Sequence, residues 1–72
     1  MVEIFKTNVK QPKEANRLIA LLTSHLIKHI INFDLEDCDC ILRIENRNGE
    51  IRVPTIKSIL SGEGYCCEIL TD

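Results

Sequence analysis

Aromatic side chains are scarce in this chain of 72 residues, and basic charge is not in excess. It has no tryptophan, one tyrosine and two phenylalanines, and its nine lysine and arginine residues are outnumbered by eleven acidic residues. A nucleic-acid partner is not expected, because nucleic-acid binding proteins present a basic face. The length allows a single domain over residues 1–72, because a chain this short buries only about 60–65% of its unfolded surface. We expect neither a second domain nor a deep, enclosed active-site cleft.

Long apolar runs are also missing. The longest run without a charge, residues 18–27, includes polar side chains and is far shorter than the ~20 apolar residues that a membrane span needs. The first five residues have neither the basic stretch nor the apolar core of a signal peptide. We therefore expect a cytoplasmic protein with no membrane insertion. In that compartment its four cysteines would stay reduced instead of forming disulfides.

The spacing of apolar residues predicts four strands and two helices. The predicted order is a strand over 2–9, a helix from Pro12 to about His29, strands over 31–35 and 40–45, a helix that Pro54 opens and Gly62 and Gly64 end, and a strand over 65–70. This βαββαβ order predicts an α+β, ferredoxin-like fold with an antiparallel sheet in the order 4-1-3-2 and both helices on one face. An alternative pairs residues 44–45 with 51–53 as a hairpin through Asn48-Gly49.

The predicted topology brings three connections to one end of the sheet. They are residues 8–13, 36–40 and 63–67, and they carry or adjoin every cysteine of the chain: Cys38, Cys40, Cys66 and Cys67. Side chains alternate between the two faces of a strand. This alternation predicts that Cys40 and Cys67 point into the core, where a free cysteine acts as a small apolar residue. Cys38 and Cys66 are expected to reach solvent.

Short motifs extend over nearly the whole chain. They are Phe5-Lys6-Thr7-Asn8-Val9, the Asp34-Leu35-Glu36-Asp37 turn that leads into Ile41-Leu42-Arg43-Ile44, and Gly64-Tyr65 before the final strand. Together they resemble the heavy-metal-associated domain, a family of small copper-chaperone-like modules. That family binds its metal through a C-x-x-C pair between the first strand and the first helix.

Gln11 and Glu14 stand where the resemblance places the two metal-binding cysteines. Thiolates bind a soft ion such as Cu(I) tightly, whereas an amide and a carboxylate are hard oxygen ligands. The resemblance therefore implies a degenerate member that has lost the usual metal site.

The first functional interpretation is a non-catalytic interaction or accessory module of the cytosol. No nucleophile lies beside a base and no Gly-rich phosphate loop is present, so neither enzymatic activity nor a cofactor is expected. A protein partner is expected, and the chain itself is expected to be a monomer or a weak dimer. The candidate partner surface combines basic and acidic residues that could steer association, namely Lys10, Lys13, Asp37 and Asp39.

The alternative interpretation is a protein that binds or transports a soft metal, Cu(I) or Zn, through a displaced cluster of Cys38, Cys40, Cys66 and Cys67. A third is a small-molecule regulatory domain that holds an effector between chains. His25 and His29 are four residues apart on the predicted first helix, a spacing that can hold a metal. A partly exposed pair of histidines near a helix C-terminus, where the dipole favours their charge, is the simpler interpretation.

Overall fold

The computed structural model describes residues 1–36 and 38–70. Within them, two helices and a four-stranded antiparallel sheet confirm the predicted α+β class. The elements are β1 (Val2–Thr7), α1 (Pro12–His25), β2 (Ile30–Asp34), β3 (Ile41–Glu45), α2 (Val53–Gly62) and β4 (Cys67–Ile69). The strands lie in the order β2-β3-β1-β4, which is 4-1-3-2 when counted from the β4 edge.

The core lies between the sheet and the helices. Leu22 of α1 and Ile56 of α2 pack in one cluster with Phe5 of β1 and Leu42 of β3. In α1 the buried side chains are spaced three or four residues apart, so that they share one face of the helix. A second buried cluster continues toward the cysteine end and consists of Val9, Ala15 and Leu18.

The first helix ends four residues earlier than the apolar spacing predicts. It stops at His25, and the next turn carries Lys28 in the left-handed region with φ of 68°. This turn reverses the chain so that Ile30 pairs with Glu45 at the start of β2. A helix extended to His29 would leave no residues for the reversal, so the prediction that both histidines lie on the helix is wrong.

Three strands are shorter than predicted because turns occupy their ends. β1 stops at Thr7, whose hydroxyl accepts a hydrogen bond from the Val9 amide at 3.2 Å. β3 starts after Cys40, which has a left-handed φ of 48°. β4 starts at Cys67, because the Tyr65 amide bonds back to the Leu60 carbonyl at the end of α2.

The alternative hairpin between residues 44–45 and 51–53 is not formed. Both edges of β3 are occupied, since Ile44 pairs with Glu3 of β1 and with Ile31 of β2. The Asn46 side chain instead closes the following turn by bonding the Asn48 amide at 3.0 Å and the Glu50 carbonyl at 2.9 Å. In the described residues, neither helix has the length and apolar character needed to cross a membrane.

Candidate functional site

The three predicted connections meet at one end of the sheet. The Thr7 amide donates to the Asp39 carbonyl at 3.1 Å, and the Thr7 hydroxyl donates to the Cys40 carbonyl at 2.6 Å. On the other side, the Cys66 amide donates to the Asn8 side-chain oxygen at 2.8 Å. These bonds join the end of β1 and the residue after it to the two cysteine-bearing segments, and they confirm the predicted convergence.

The four cysteines differ in burial as the alternation predicts. Cys40 and Cys67 are buried, whereas Cys38 and Cys66 are exposed, and none of them forms a disulfide in the described structure. Burial raises the pKa of the Cys67 thiol to about 11, because an apolar environment disfavours the thiolate. Cys67 is therefore held as a neutral thiol at physiological pH.

The cysteines do not come together as a preformed metal site. Among residues 1–36 and 38–70, no group of three or more histidine, cysteine, aspartate or glutamate side chains is placed to hold a metal ion. A displaced site built from Cys38, Cys40, Cys66 and Cys67 would require rearrangement of these side chains, and it stays a prediction.

Gln11 and Glu14 have different roles at the start of α1. Gln11 is the residue that precedes the helix, and its backbone carbonyl accepts the Ala15 amide at 2.9 Å while its exposed side chain makes no capping bond. The Glu14 carboxylate is engaged on its Oε1 atom. It accepts hydrogen bonds from Arg17 Nη2 at 2.8 Å and from the Tyr65 hydroxyl at 2.9 Å.

These contacts belong to a polar cluster of Glu14, Arg17, Glu63 and Tyr65, which we call the Glu14 network. Arg17 Nη1 also donates to Glu63 just beyond α2, so the network connects α1 with the α2–β4 connection. The hydrogen bonds from Arg17 and Tyr65 lower the pKa of the Glu14 carboxyl below its ordinary value. The hydrogen bond that Tyr65 donates to Glu14 also raises the pKa of the Tyr65 phenol. Glu14 is thus kept ionised and oriented toward partners within the chain.

Three of the four residues predicted to form the partner surface lie in the described part of the chain. Lys10 in the β1–α1 connection and Lys13 in α1 are exposed, and Asp39 forms an ion pair with Lys6 at 3.8 Å. Asp37 lies outside the described residues. That these residues form a partner surface stays a prediction.

Two open grooves flank this end, each between a helix and an edge strand. The α2–β4 groove has a volume of about 500 Å³, and its walls include Lys57, Tyr65, Cys66 and Cys67. The α1–β2 groove has a volume of about 340 Å³, and its apolar lining includes Ala15, Ile19, Phe33 and Leu35. Neither groove was predicted, because each depends on the distance between a helix and the sheet edge.

The histidines lie away from the cysteines. His25 Nδ1 is 3.0 Å from the Leu21 carbonyl, and His29 Nδ1 is 3.0 Å from the Ile27 carbonyl. Both histidines line a third groove together with Glu50. His25 is exposed and His29 is half-buried, which agrees with the simpler interpretation of a partly exposed pair near a helix end.

Comparison with known proteins identifies no family: no family model matches the chain, and neither a curated protein nor a solved structure gives a significant match. The resemblance to the heavy-metal-associated domain therefore stays a prediction. Sequence reasoning also missed the two contacts that organise this end, Tyr65 with Glu14 and Asn8 with Cys66. Their partners are 51 and 58 residues apart, and no local pattern pairs such distant polar side chains.

Proposed function

We propose that this chain is a non-catalytic interaction module of ferredoxin-like fold, similar to a heavy-metal-associated domain without its metal loop. The element order and the strand order support this fold. Packing of Leu22 from α1 and Ile56 from α2 in one cluster with the central strands also supports it. The observation that carries the functional proposal is the Glu14 network.

Glu14 stands at a position that the resemblance assigns to a metal-binding thiolate, yet its carboxylate is used inside the chain. A metal ion bound through Oε1 would have to compete with the hydrogen bonds from Arg17 and Tyr65. A carboxylate and an amide would also be poor ligands for a soft ion. The network joins the first helix to the α2–β4 connection through hydrogen bonds and an ion pair within the chain.

The partner of this module would be a protein that meets the same end. Lys10 and Lys13 are exposed there, and acidic residues follow in the β2–β3 connection. Surface charges of both signs favour an oriented encounter more than they add affinity. A partner with a matching pair of acidic and basic patches fits this end best.

Competition for Cu(I) against a colorimetric chelator tests the loss of the metal site. The wild-type protein should release Cu(I) to the chelator far more readily than a two-thiolate chaperone does. The double variant Gln11→Cys/Glu14→Cys should retain Cu(I) by orders of magnitude more tightly, because two thiolates would then flank the start of α1. The matched control, Gln11→Ser/Glu14→Ser, loses the same Glu14 contacts without gaining a thiol.

Tight one-to-one retention of Cu(I) by the wild-type protein would contradict the proposal. A folded double cysteine variant with no gain over the serine control would show that Gln11 and Glu14 do not occupy the family's cysteine positions.

Soft-metal binding by the native cysteines is the second candidate. It is favoured by the position of Cys66 and Cys67 on one groove wall with Cys38 exposed at the same end. In this case Cu(I) or Zn should protect Cys38 and Cys66 together from a thiol reagent. Protection of neither cysteine would contradict soft-metal binding by this cluster.

A further inference from the structure

β2 is an edge strand without the usual protection against pairing. It is five residues long, Ile30–Asp34, and within residues 1–36 and 38–70 no strand lies beside its outer edge. Edge strands are commonly blunted by proline, lysine or an inward-pointing charge. β2 has none of these residues on its core-facing side, where Ile31 is buried and Phe33 is half-buried.

The α1–β2 groove runs along the same edge. Ile19 and Phe33 are partly buried and leave apolar surface in this groove, together with Ala15 and Leu35. A strand added beside β2 would place alternate side chains over this groove, as β-augmentation requires. The edge therefore offers both unpaired backbone groups and an apolar surface.

β2 is self-complementary when it is paired antiparallel about Asn32. In that register Ile31 lies opposite Phe33 of a second copy, and both face the helix layer. The charges that flank β2 are also complementary. Lys28 precedes the strand and Glu36 follows it, and both are exposed. Antiparallel pairing brings each cationic end close to the anionic end of the other copy.

We infer that a second copy of this chain pairs along β2 and forms a symmetric dimer with a continuous eight-stranded sheet. The contact is isologous, so that every interaction occurs twice. The opposite edge is less suited, because β4 has only three residues, Cys67–Ile69. A single strand pair buries less than the roughly 800 Å² per partner of a standard interface, so the dimer is weak and concentration-dependent.

Sedimentation equilibrium from micromolar to millimolar concentration tests this inference. The mass should rise from 8.2 kDa toward twice that value. Lys28→Glu should raise the dimer dissociation constant by about fivefold or more, because acidic residues then meet at both ends of the pair. The charge swap Lys28→Glu/Glu36→Lys should restore the wild-type constant.

Asn32→Asp provides an independent test, and this substitution should leave the fold of the monomer intact. Asn32 is exposed and lies opposite Arg43 of β3, so an aspartate is tolerated in the monomer. In the dimer it would oppose its own copy across the symmetry axis and weaken association by about fivefold. Asn48→Asp makes the same chemical change at an exposed turn position and should leave association unchanged.

Hydrogen exchange locates the interface. The outward-facing amides of β2 should become protected as the concentration rises, while those of β4 should not. A monomer at every concentration, or a dimer that Asn32→Asp and Lys28→Glu leave intact, overturns the inference. Protection of β2 only after another polypeptide is added would show a different occupant, and would also overturn it.

Discussion

The Cys67 thiol lies in the same buried cluster as Ile56 and Leu60 of α2, whereas the adjacent Cys66 is exposed. Burial raises the pKa of Cys67 to about 11, and the thiolate is the form that attacks electrophiles and binds metals. The two consecutive cysteines should thus differ in their reactivity toward electrophiles and metals, because one side chain is buried and the next is exposed.

Thiol labelling of the native protein checks this difference. A neutral reagent should modify Cys38 and Cys66 quickly, and Cys40 and Cys67 only after unfolding, because access limits the reaction. At pH 9, Cys67 should still carry its proton, since its pKa is about 11. Mass spectrometry of digested samples measures the modification of each site.

The urea-unfolded chain is the control, in which all four cysteines should react. Four equally fast thiols in the native protein would contradict the strand registers.

Within the site, the burial of side chains in or next to strands was the most predictable property. The alternation of side chains placed Cys40 and Cys67 in the core because each adjoins or begins a strand. It gave no information on Glu14, whose partner Tyr65 belongs to another part of the chain. Contacts between distant polar side chains depend on the final packing of α1 against the α2–β4 connection.

Among the elements, the two helices end in different ways. After α2, the Gly64 amide bonds the Ser61 carbonyl at 3.0 Å and the Tyr65 amide bonds the Leu60 carbonyl at 2.9 Å. This is the Schellman pattern, with Gly64 in the left-handed region at φ of 87°. The sequence signalled this end by its glycines. α1 ends at His25, and the chain reverses at Lys28 without a glycine. The apolar spacing of the sequence therefore extends past the true end of this helix.

Alanine at the two glycines of this turn should have opposite effects. Neither added methyl group meets an atom within 4 Å, so the backbone decides. Gly64→Ala should destabilise the protein by about 1–2 kcal/mol because of its left-handed conformation. Gly62→Ala should stabilise it by up to about 1 kcal/mol, because Gly62 is the last residue of α2 and alanine favours the helix.

Urea denaturation of both variants and the wild type gives these differences. A loss of stability in both variants would contradict the assignment of Gly62 to the helix.

At the scale of the whole molecule, periodic apolar residues specified most of the architecture. They located every helix and strand to within a few residues, because each element buries one face in a shared core. The lengths of the elements were less predictable. They depend on turns such as that at Lys28, where the next strand must start in register.

The central strands should control stability. Leu42 of β3 is fully buried, whereas Ile27 in the α1–β2 turn is 75% exposed. Leu42→Ala should cost about 2–5 kcal/mol, a large part of the stability of a small domain. Ile27→Ala, the matched apolar truncation, should change the free energy of unfolding by less than about 0.5 kcal/mol.

Thermal or urea unfolding followed by circular dichroism measures both variants. Equal losses would mean that Leu42 does not lie at the centre of the core.

The central position of β1 also affects how the chain folds as it is synthesised. Phe5 of β1 pairs with Leu42 on one side and with Ile69 on the other. When β1 leaves the ribosome, neither neighbour exists, and its second neighbour is made only after both helices. The sheet cannot close by adding strands in the order of translation. Folding therefore waits for contacts of long sequence separation, which slows it relative to a helical bundle of similar size.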